Sequence, residues 1–88
     1  MTESRFNKAE DLFREMLKDL RQTKDLTQAQ VAERLDLPQS YVSKYETGER
    51  RLDFVETVFV CEALGISLAE FVKEFSIKLA NRGRRKRD

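Results

Sequence analysis

Residues 27–48 read TQAQVAERLDLPQSYVSKYETG and hold two short amphipathic helical patterns with a few residues between them. Thr27 and Gln30 form a capping box, in which each side chain satisfies a backbone N–H at a helix start. The second pattern starts around Pro38, which suits a first helical turn because it has no N–H. It ends at Gly48, which adopts the left-handed conformation without steric cost. Two helices joined so closely predict a helix-turn-helix.

The second helix of this pair is expected to have an apolar and a polar face. Val42 and Tyr45 fall on the inward side, with the Tyr45 hydroxyl reaching the surface. The outward residues are Gln39, Ser40, Ser43, Lys44 and Thr47. Glutamine can pair with adenine through two hydrogen bonds, serine can reach several bases, and lysine can reach a guanine. Such a face fits a DNA major groove, and a merely solvated polar face is the alternative.

The chain resembles the Xre/Cro family of helix-turn-helix DNA-binding domains, the family of the lambdoid phage repressors. The resemblance rests on LRQTKDLTQAQVAERL at 20–35, SYVSKYETGERR at 40–51 and CEALGIS at 61–67. These segments follow the family's order and spacing, and the similarity covers residues 17–72. It implies an all-α fold, a compact bundle of five helices with the helix-turn-helix at helices 2 and 3.

The resemblance also implies roles for individual residues. The base-reading set is Gln39, Ser40, Ser43 and Lys44. The family position of Gln28 contacts the DNA backbone and braces the first residue of the recognition helix, here Gln39. Contacts that hold the protein in register without reading sequence are implied for Arg50 and Arg51. Tyr41 lies at the edge of the polar face, and its hydroxyl is expected to contact a phosphate. For Gln28 and for the loop after the helix, simple solvation is the alternative.

Two further positions are interpreted through the same resemblance. Glu46 matches an acid that pairs with an arginine near the end of helix 1, here Arg21, as a largely buried structural ion pair. Asp36 stands where the family usually has glycine, and aspartate tolerates the left-handed region better than most residues. Pro38 stands where the family often has a capping serine. The turn is therefore where this chain is expected to differ from its relatives.

Composition limits the function further. The 88 residues correspond to one small domain, and no apolar run is long enough to cross a membrane. A single cysteine and no histidine leave no internal disulfide and no expected zinc site or cofactor. The net charge is only +1. The last eight residues hold five basic side chains and one acidic one, so residues 1–80 have 12 basic against 15 acidic. The basic groups that attract DNA must therefore be concentrated by folding or helped by the tail.

The remaining segments predict a supporting scaffold. Asn7 with Glu10 indicates the start of helix 1, and Asp53 with Glu56 indicates the start of helix 4. Phe54, Val58, Cys61 and Leu64 form the expected core stripe of helix 4. Helices 4 and 5 carry more apolar residues than one small core needs. The expected homodimer surface, some of which alternatively completes the monomer core, is Val55, Phe59, Ile66, Leu68, Val72 and Phe75.

The sequence thus divides into a disordered N-terminus at 1–6, the helix-turn-helix domain at 7–80 and a basic disordered tail at 81–88. The tail either adds non-specific phosphate attraction or only solubilises the chain. We expect no enzyme, no small-molecule ligand and no membrane contact. The expected function is sequence-specific binding of a near-palindromic operator in double-stranded DNA by a homodimer, as a cytoplasmic, nucleoid-associated transcriptional regulator, with repression as the expected role. An antitoxin-type interaction module and a restriction–modification controller protein are the alternatives.

Overall fold

The computed structural model describes residues 4–83 and confirms the predicted all-α fold. Its helices are α1 (Arg5–Thr23), α2 (Gln28–Leu35), α3 (Gln39–Thr47), α4 (Phe54–Leu64) and α5 (Leu68–Gly83). None of the helices in this part of the chain is long and apolar enough to cross a membrane. The two helices of residues 27–48 make the most extensive helix–helix contact, and the other three helices support them.

Side-chain caps fix where most helices begin. Thr27 Oγ1 accepts the Gln30 N–H at 3.1 Å, and Gln30 Oε1 accepts the Thr27 N–H at 2.8 Å, so the predicted capping box is present. Asp53 and Glu56 form the same reciprocal pair at the start of α4, at 2.7 and 2.9 Å. Each box satisfies two backbone donors that a helix start otherwise leaves unpaired.

The ends of the domain differ from the prediction. Helix α1 begins at Arg5 and not after Asn7, because the Ser4 hydroxyl accepts the Asn7 N–H at 3.1 Å and caps the helix one turn earlier. Part of the segment 1–6 is therefore helical. At the other end α5 continues to Gly83, so residues 81–83 are helical where a disordered tail was expected. The rest of the predicted tail, residues 84–88, lies outside the described residues, as do residues 1–3.

Every helix contributes to one apolar core. Its buried members are Leu12, Met16, Leu17, Val31, Ala32, Val42, Tyr45, Val60, Cys61, Ala63, Leu64 and Phe71. Phe13 of α1 packs edge-on against Phe71 and Phe75 of α5, with ring centroids 5.8 and 6.3 Å apart. Edge-to-face rings at this separation attract each other beyond their area of contact. The core thus joins α5 to α1 and sets α1 and α4 beneath the helix-turn-helix.

Two core predictions are wrong. Phe54 is 69% exposed, because α4 turns Thr57, Val60 and Cys61 toward the core and leaves its first residue at the edge of the buried face. The Tyr45 hydroxyl does not reach the surface. It is buried, and it forms no hydrogen bond with any group among residues 4–83.

The turn between α2 and α3 keeps its shape despite its unusual residues. Asp36 adopts the left-handed conformation, with φ 61° and ψ 42°. The Leu37 N–H donates to the Ala32 carbonyl at 3.0 Å, which closes the end of α2. Pro38 is the N-cap of α3 with extended backbone and makes no side-chain cap. Aspartate and proline therefore produce this tight turn without the glycine and serine expected from the resemblance.

Candidate nucleic-acid interface

The polar face of α3 projects away from the core. Val42 and Tyr45 are buried beneath it. Gln39, Ser40, Lys44 and Thr47 are exposed, and Ser43 is half-buried. Helix α3 is only nine residues long and contacts both α2 and α1. The predicted base-reading side chains thus share one short surface whose orientation is set by the two helices behind it.

Arg21 at the end of α1 and Glu46 in the last turn of α3 form a two-pronged ion pair. Arg21 Nε donates to Glu46 Oε2 at 2.7 Å, and Arg21 Nη2 donates to Oε1 at 3.1 Å. Their side chains are only 11% and 3% exposed. Arg21 Nη1 also donates to the Leu26 carbonyl at 2.8 Å. The hydrogen bond to Glu46 raises the pKa of Arg21, so the guanidinium stays charged and ties α1, the following loop and α3 together.

Gln28 connects this ion pair to the start of α3. Its Nε2 donates to Glu46 Oε1 at 3.0 Å, and its Oε1 accepts from Gln39 Nε2 at 3.3 Å. A continuous run of hydrogen bonds therefore leads from Arg21 to Gln39. We call these four residues, Arg21, Glu46, Gln28 and Gln39, the positioning network. It restricts the rotamers of Gln39 before any ligand is bound.

A shallow concavity opens beside the network at the start of α2. It is lined by Arg21, Gln22, Asp25, Leu26, Thr27, Gln28, Ala29 and Gln39. The first backbone amides of a helix point outward and carry partial positive charge, which favours phosphate. This geometry suits the DNA-backbone contact that the sequence predicts for Gln28.

The loop after α3 is fixed by the conformation of Gly48 and by a backbone hydrogen bond to α3. Gly48 has φ 88°, a backbone conformation that residues with a Cβ rarely adopt. A Cβ at this position would lie 3.0 Å from the Arg14 guanidinium carbon. The Arg50 N–H donates to the Lys44 carbonyl at 3.1 Å. Arg14, which the sequence did not single out, thus closes over the end of the recognition helix.

Arg50 and Tyr41 lie at the edge of the same face. The Arg50 guanidinium carbon sits 4.8 Å from the centroid of the Tyr41 ring, within the range of a cation–π contact. Arg50 also forms an ion pair with Glu56 of α4. Burial is the main factor that raises the pKa of Tyr41. The Asp53 N–H is the main factor that lowers the pKa of Glu56, with a further contribution from Arg50.

The predicted backbone contacts therefore differ in their surroundings. Tyr41 is half-buried and Arg50 is held by two partners, whereas Arg51 is exposed and makes no ion pair within residues 4–83. Glu56 was visible in the sequence as a capping residue. Its link to Arg50 was missed, because the capping pattern shows nothing about the second oxygen of the carboxylate.

The apolar residues predicted to form a dimer surface fall into two groups. Val55, Phe59 and Val72 are exposed. Ile66, Leu68 and Phe75 are half-buried against the monomer core. Phe54 and Phe6 add exposed aromatic surface that the sequence did not assign there. The assignment of this surface to a dimer stays a prediction.

No metal-binding or nucleophilic arrangement is present in residues 4–83. No cluster of three histidine, cysteine, aspartate or glutamate residues occurs there that could hold a metal ion. Cys61 is fully buried, and burial raises the pKa of its thiol to about 11. A thiol with so high a pKa is not a nucleophile near neutral pH.

Comparisons with known proteins agree with this geometry. The family model HTH_3, described as helix-turn-helix, matches residues 17–71. An XRE-family like protein from Pseudomonas syringae pv. tomato shares 32% identity over 83% of this chain and 89% of that one, with a TM-score of 0.79. The clp gene regulator ClgR from Corynebacterium glutamicum shares 26% identity over 80% and 91%, with a TM-score of 0.69.

A third solved structure shows likeness of fold alone. The restriction-modification controller protein C.Esp1396I is 23% identical over 84% of this chain and 95% of that one, with a TM-score of 0.75. A search of curated protein sequences finds no significant match.

Proposed function

Because this chain belongs to the Xre-type helix-turn-helix family (HTH_3) of DNA-binding transcriptional regulators, we propose that it binds one double-stranded DNA sequence as a homodimer and represses transcription. The proteins of this family act by binding and are not enzymes. The repressor acts on the nucleoid in the cytoplasm. A bound dimer covers promoter DNA and competes with polymerase for it.

The positioning network carries this proposal. A side chain that reads a base gains most when its orientation is set in advance, because less conformational entropy is lost on binding. Gln39 is held by Gln28, and Gln28 is held by the Arg21–Glu46 pair. Ser40 and Lys44 stand exposed on the same helix face. This arrangement supports Gln39, Ser40, Ser43 and Lys44 as the base-reading set.

Phosphate contacts hold the recognition helix in register. Gln28 lines the concavity at the start of α2, and the first amides of a helix favour phosphate. Tyr41 and Arg50 lie at the edge of the reading surface, and Arg51 follows in the exposed loop after α3. Contacts on both sides of a recognition helix fix its angle in the groove but carry no sequence information.

The homodimer uses the exposed apolar residues of α4 and α5. Val55 and Phe59 are 59% and 55% exposed, and Val72 is 46% exposed. Burying such a patch against a second copy removes it from water. A two-fold dimer sets its recognition helices about 34 Å apart, one turn of DNA, which requires a near-palindromic operator.

Selection on random duplex DNA tests the central claim. We expect one near-palindromic motif to be enriched by the parent protein. The variant Gln39→Ala/Lys44→Ala should lose at least about tenfold in affinity for that motif, since each good base contact is worth about 1–3 kcal/mol. Lys73→Ala/Asn81→Ala is the matched control, because it also removes one lysine and one amide side chain, here from the exposed surface of α5. No enriched motif, or equal binding by both variants, would refute sequence-specific recognition.

Two further measurements separate the finer parts of the proposal. Phe59→Glu should shift the protein to the monomer in sedimentation equilibrium and weaken operator binding without unfolding it. A reporter gene carrying the selected motif between its promoter elements should be turned down by the parent protein. Activation of the reporter would instead favour the controller-protein alternative over the repressor.

A further inference from the structure

Glu56 is used twice in the structure. Its Oε1 accepts the Asp53 N–H at 2.9 Å and so caps α4. Its Oε2 forms the ion pair with Arg50 Nη2. One carboxylate therefore joins the start of α4 to the loop that follows the recognition helix. A capping residue that needed only the cap could be a glutamine, which serves equally well at this position.

Arg50 is held at three points. Its backbone N–H donates to the Lys44 carbonyl at 3.1 Å, and its guanidinium lies over the Tyr41 ring. Its Nη2 also donates to Glu56 Oε2. A guanidinium has five N–H donors in a fixed fork, so Arg50 retains donors for a phosphate while it is paired with Glu56. The side chain of Arg50 is still 42% exposed. It is therefore accessible and oriented at once.

We propose that Glu56 is a positioning residue for DNA discrimination, which directs Arg50 to one phosphate of the operator and withholds it from loosely bound DNA. This inference rests on the proposed function. When the recognition helix is seated in its operator, the fixed guanidinium meets a phosphate in the orientation for which it is held. On non-specific DNA the helix is not seated in this way, and the nearby carboxylate offsets the charge of Arg50.

The charge of the domain makes this device useful. Residues 1–80 have more acidic than basic side chains, so within them the cations near the recognition helix dominate the attraction to DNA. A mobile arginine there would strengthen binding to any duplex, because phosphate attraction is independent of sequence. Pairing it with Glu56 lowers that general attraction more than it lowers binding to the operator.

The test is Glu56→Gln, which keeps an acceptor for the Asp53 N–H and removes only the charge. Binding to random duplex should become stronger and steeper in salt. One extra phosphate contact adds about 0.9 to the slope of log affinity against log salt, so a fourfold rise in salt should weaken the variant about 3.5 times more than the parent. Affinity for the selected operator should change less, so the ratio of specific to non-specific affinity should fall.

Two controls identify the route of the effect. Glu70→Gln removes the same charge from the same position of another helix start, where the Glu70 N–H is capped by Ser67, and should leave the ratio unchanged. In an Arg50→Gln background, Glu56→Gln should also leave the ratio unchanged, because the residue acts through Arg50. Thermal melting of each variant verifies the fold.

Three outcomes would overturn the proposal. These are an unchanged salt slope in Glu56→Gln, an equal rise in affinity for operator and random DNA, and an effect that persists without Arg50. Failure of the parent to select any motif would instead refute the proposed function. The slope on random duplex would still decide whether Glu56 restrains Arg50.

Discussion

Replacing Glu46 by alanine removes the acceptor that joins α1, α2 and α3. The carboxylate receives hydrogen bonds from Arg21 Nε at 2.7 Å, Arg21 Nη2 at 3.1 Å and Gln28 Nε2 at 3.0 Å. After the change, the Arg21 side chain keeps only its hydrogen bond to the Leu26 carbonyl. A guanidinium that is 11% exposed then remains without its counter-charge. The variant therefore loses the folding free energy that is lost when one member of a buried ion pair is removed.

The size of the effect follows from this burial. Removing one member of a buried ion pair costs about 3–5 kcal/mol. A domain of this size shifts its Tm by about 4–8 °C for each kcal/mol, so we expect Glu46→Ala to melt at least about 12 °C below the parent. Affinity for the selected operator should also fall at a temperature where the variant is folded, since Gln28 loses the anchor that orients Gln39.

Urea denaturation followed by far-UV circular dichroism measures the change directly. The midpoint should fall while the slope of free energy against urea stays constant, because the surface exposed on unfolding is the same. Glu15→Ala is the matched control. It breaks the Arg82–Glu15 pair, whose side chains are 49% and 58% exposed, and an exposed pair is worth about 0–1 kcal/mol.

A double variant separates the pair from its burial. Arg21→Met/Glu46→Leu leaves no unpaired charge, and it should recover most of the stability that Glu46→Ala loses. DNA affinity should not recover with it, because leucine offers Gln28 no acceptor. If Glu46→Ala costs no more than Glu15→Ala, then the pair does not clamp the helices and the reasoning is refuted.

Three further predictions concern the turn and the core. Asp36→Gly should stabilise the domain by up to about 1 kcal/mol in urea denaturation, because glycine removes the cost of the left-handed backbone, whereas Glu33→Gly in the exposed part of α2 should lose about 1 kcal/mol. Tyr45→Phe should be neutral or stabilising by up to about 1 kcal/mol, since it deletes a buried hydroxyl that lacks a hydrogen-bond partner. A loss of stability would instead show that this hydroxyl forms a hydrogen bond. The pKa of Cys61 is raised by burial from 9.0 to about 11, so its contribution to stability is present below pH 9 and is lost as the pH rises toward 11. The parent should lose about 2–3 kcal/mol more than Cys61→Ala across that interval, and equal pH profiles would contradict this.

Local chemistry made much of the fold predictable. The capping boxes at Thr27 and Asp53 and the glycine at 48 depend on residues within one turn of each other. The start of α1 shows the limit of such reasoning. Ser4 and Asn7 are both good N-caps, and only the observed bond between the Ser4 hydroxyl and the Asn7 N–H decides between them.

Contacts between distant residues were predictable only in part. Arg21 and Glu46 lie 25 positions apart, and no periodicity connects them; their pairing was expected from resemblance alone. Arg50 and Glu56 are only six positions apart, yet their contact was missed because it depends on how the loop after Gly48 folds back. The exposure of Phe54 was missed for a similar reason. Helical spacing defines an apolar stripe on α4, but it does not show how far the neighbouring helices cover that stripe.

The positioning network also implies that stability and recognition are linked in this domain. Gln39 reads DNA from a conformation that Gln28 holds, and Gln28 depends on the carboxylate that anchors Arg21. A substitution at Glu46 therefore alters the reading surface without touching it, while a substitution at Gln39 removes a base contact but leaves the buried pair intact. Comparing the two by affinity and by urea midpoint separates them: Gln39→Ala should reduce operator affinity with little change in midpoint, whereas Glu46→Ala should reduce both. If Gln39→Ala lowers the midpoint as far as Glu46→Ala does, then the network is a structural unit only and does not orient a reading residue.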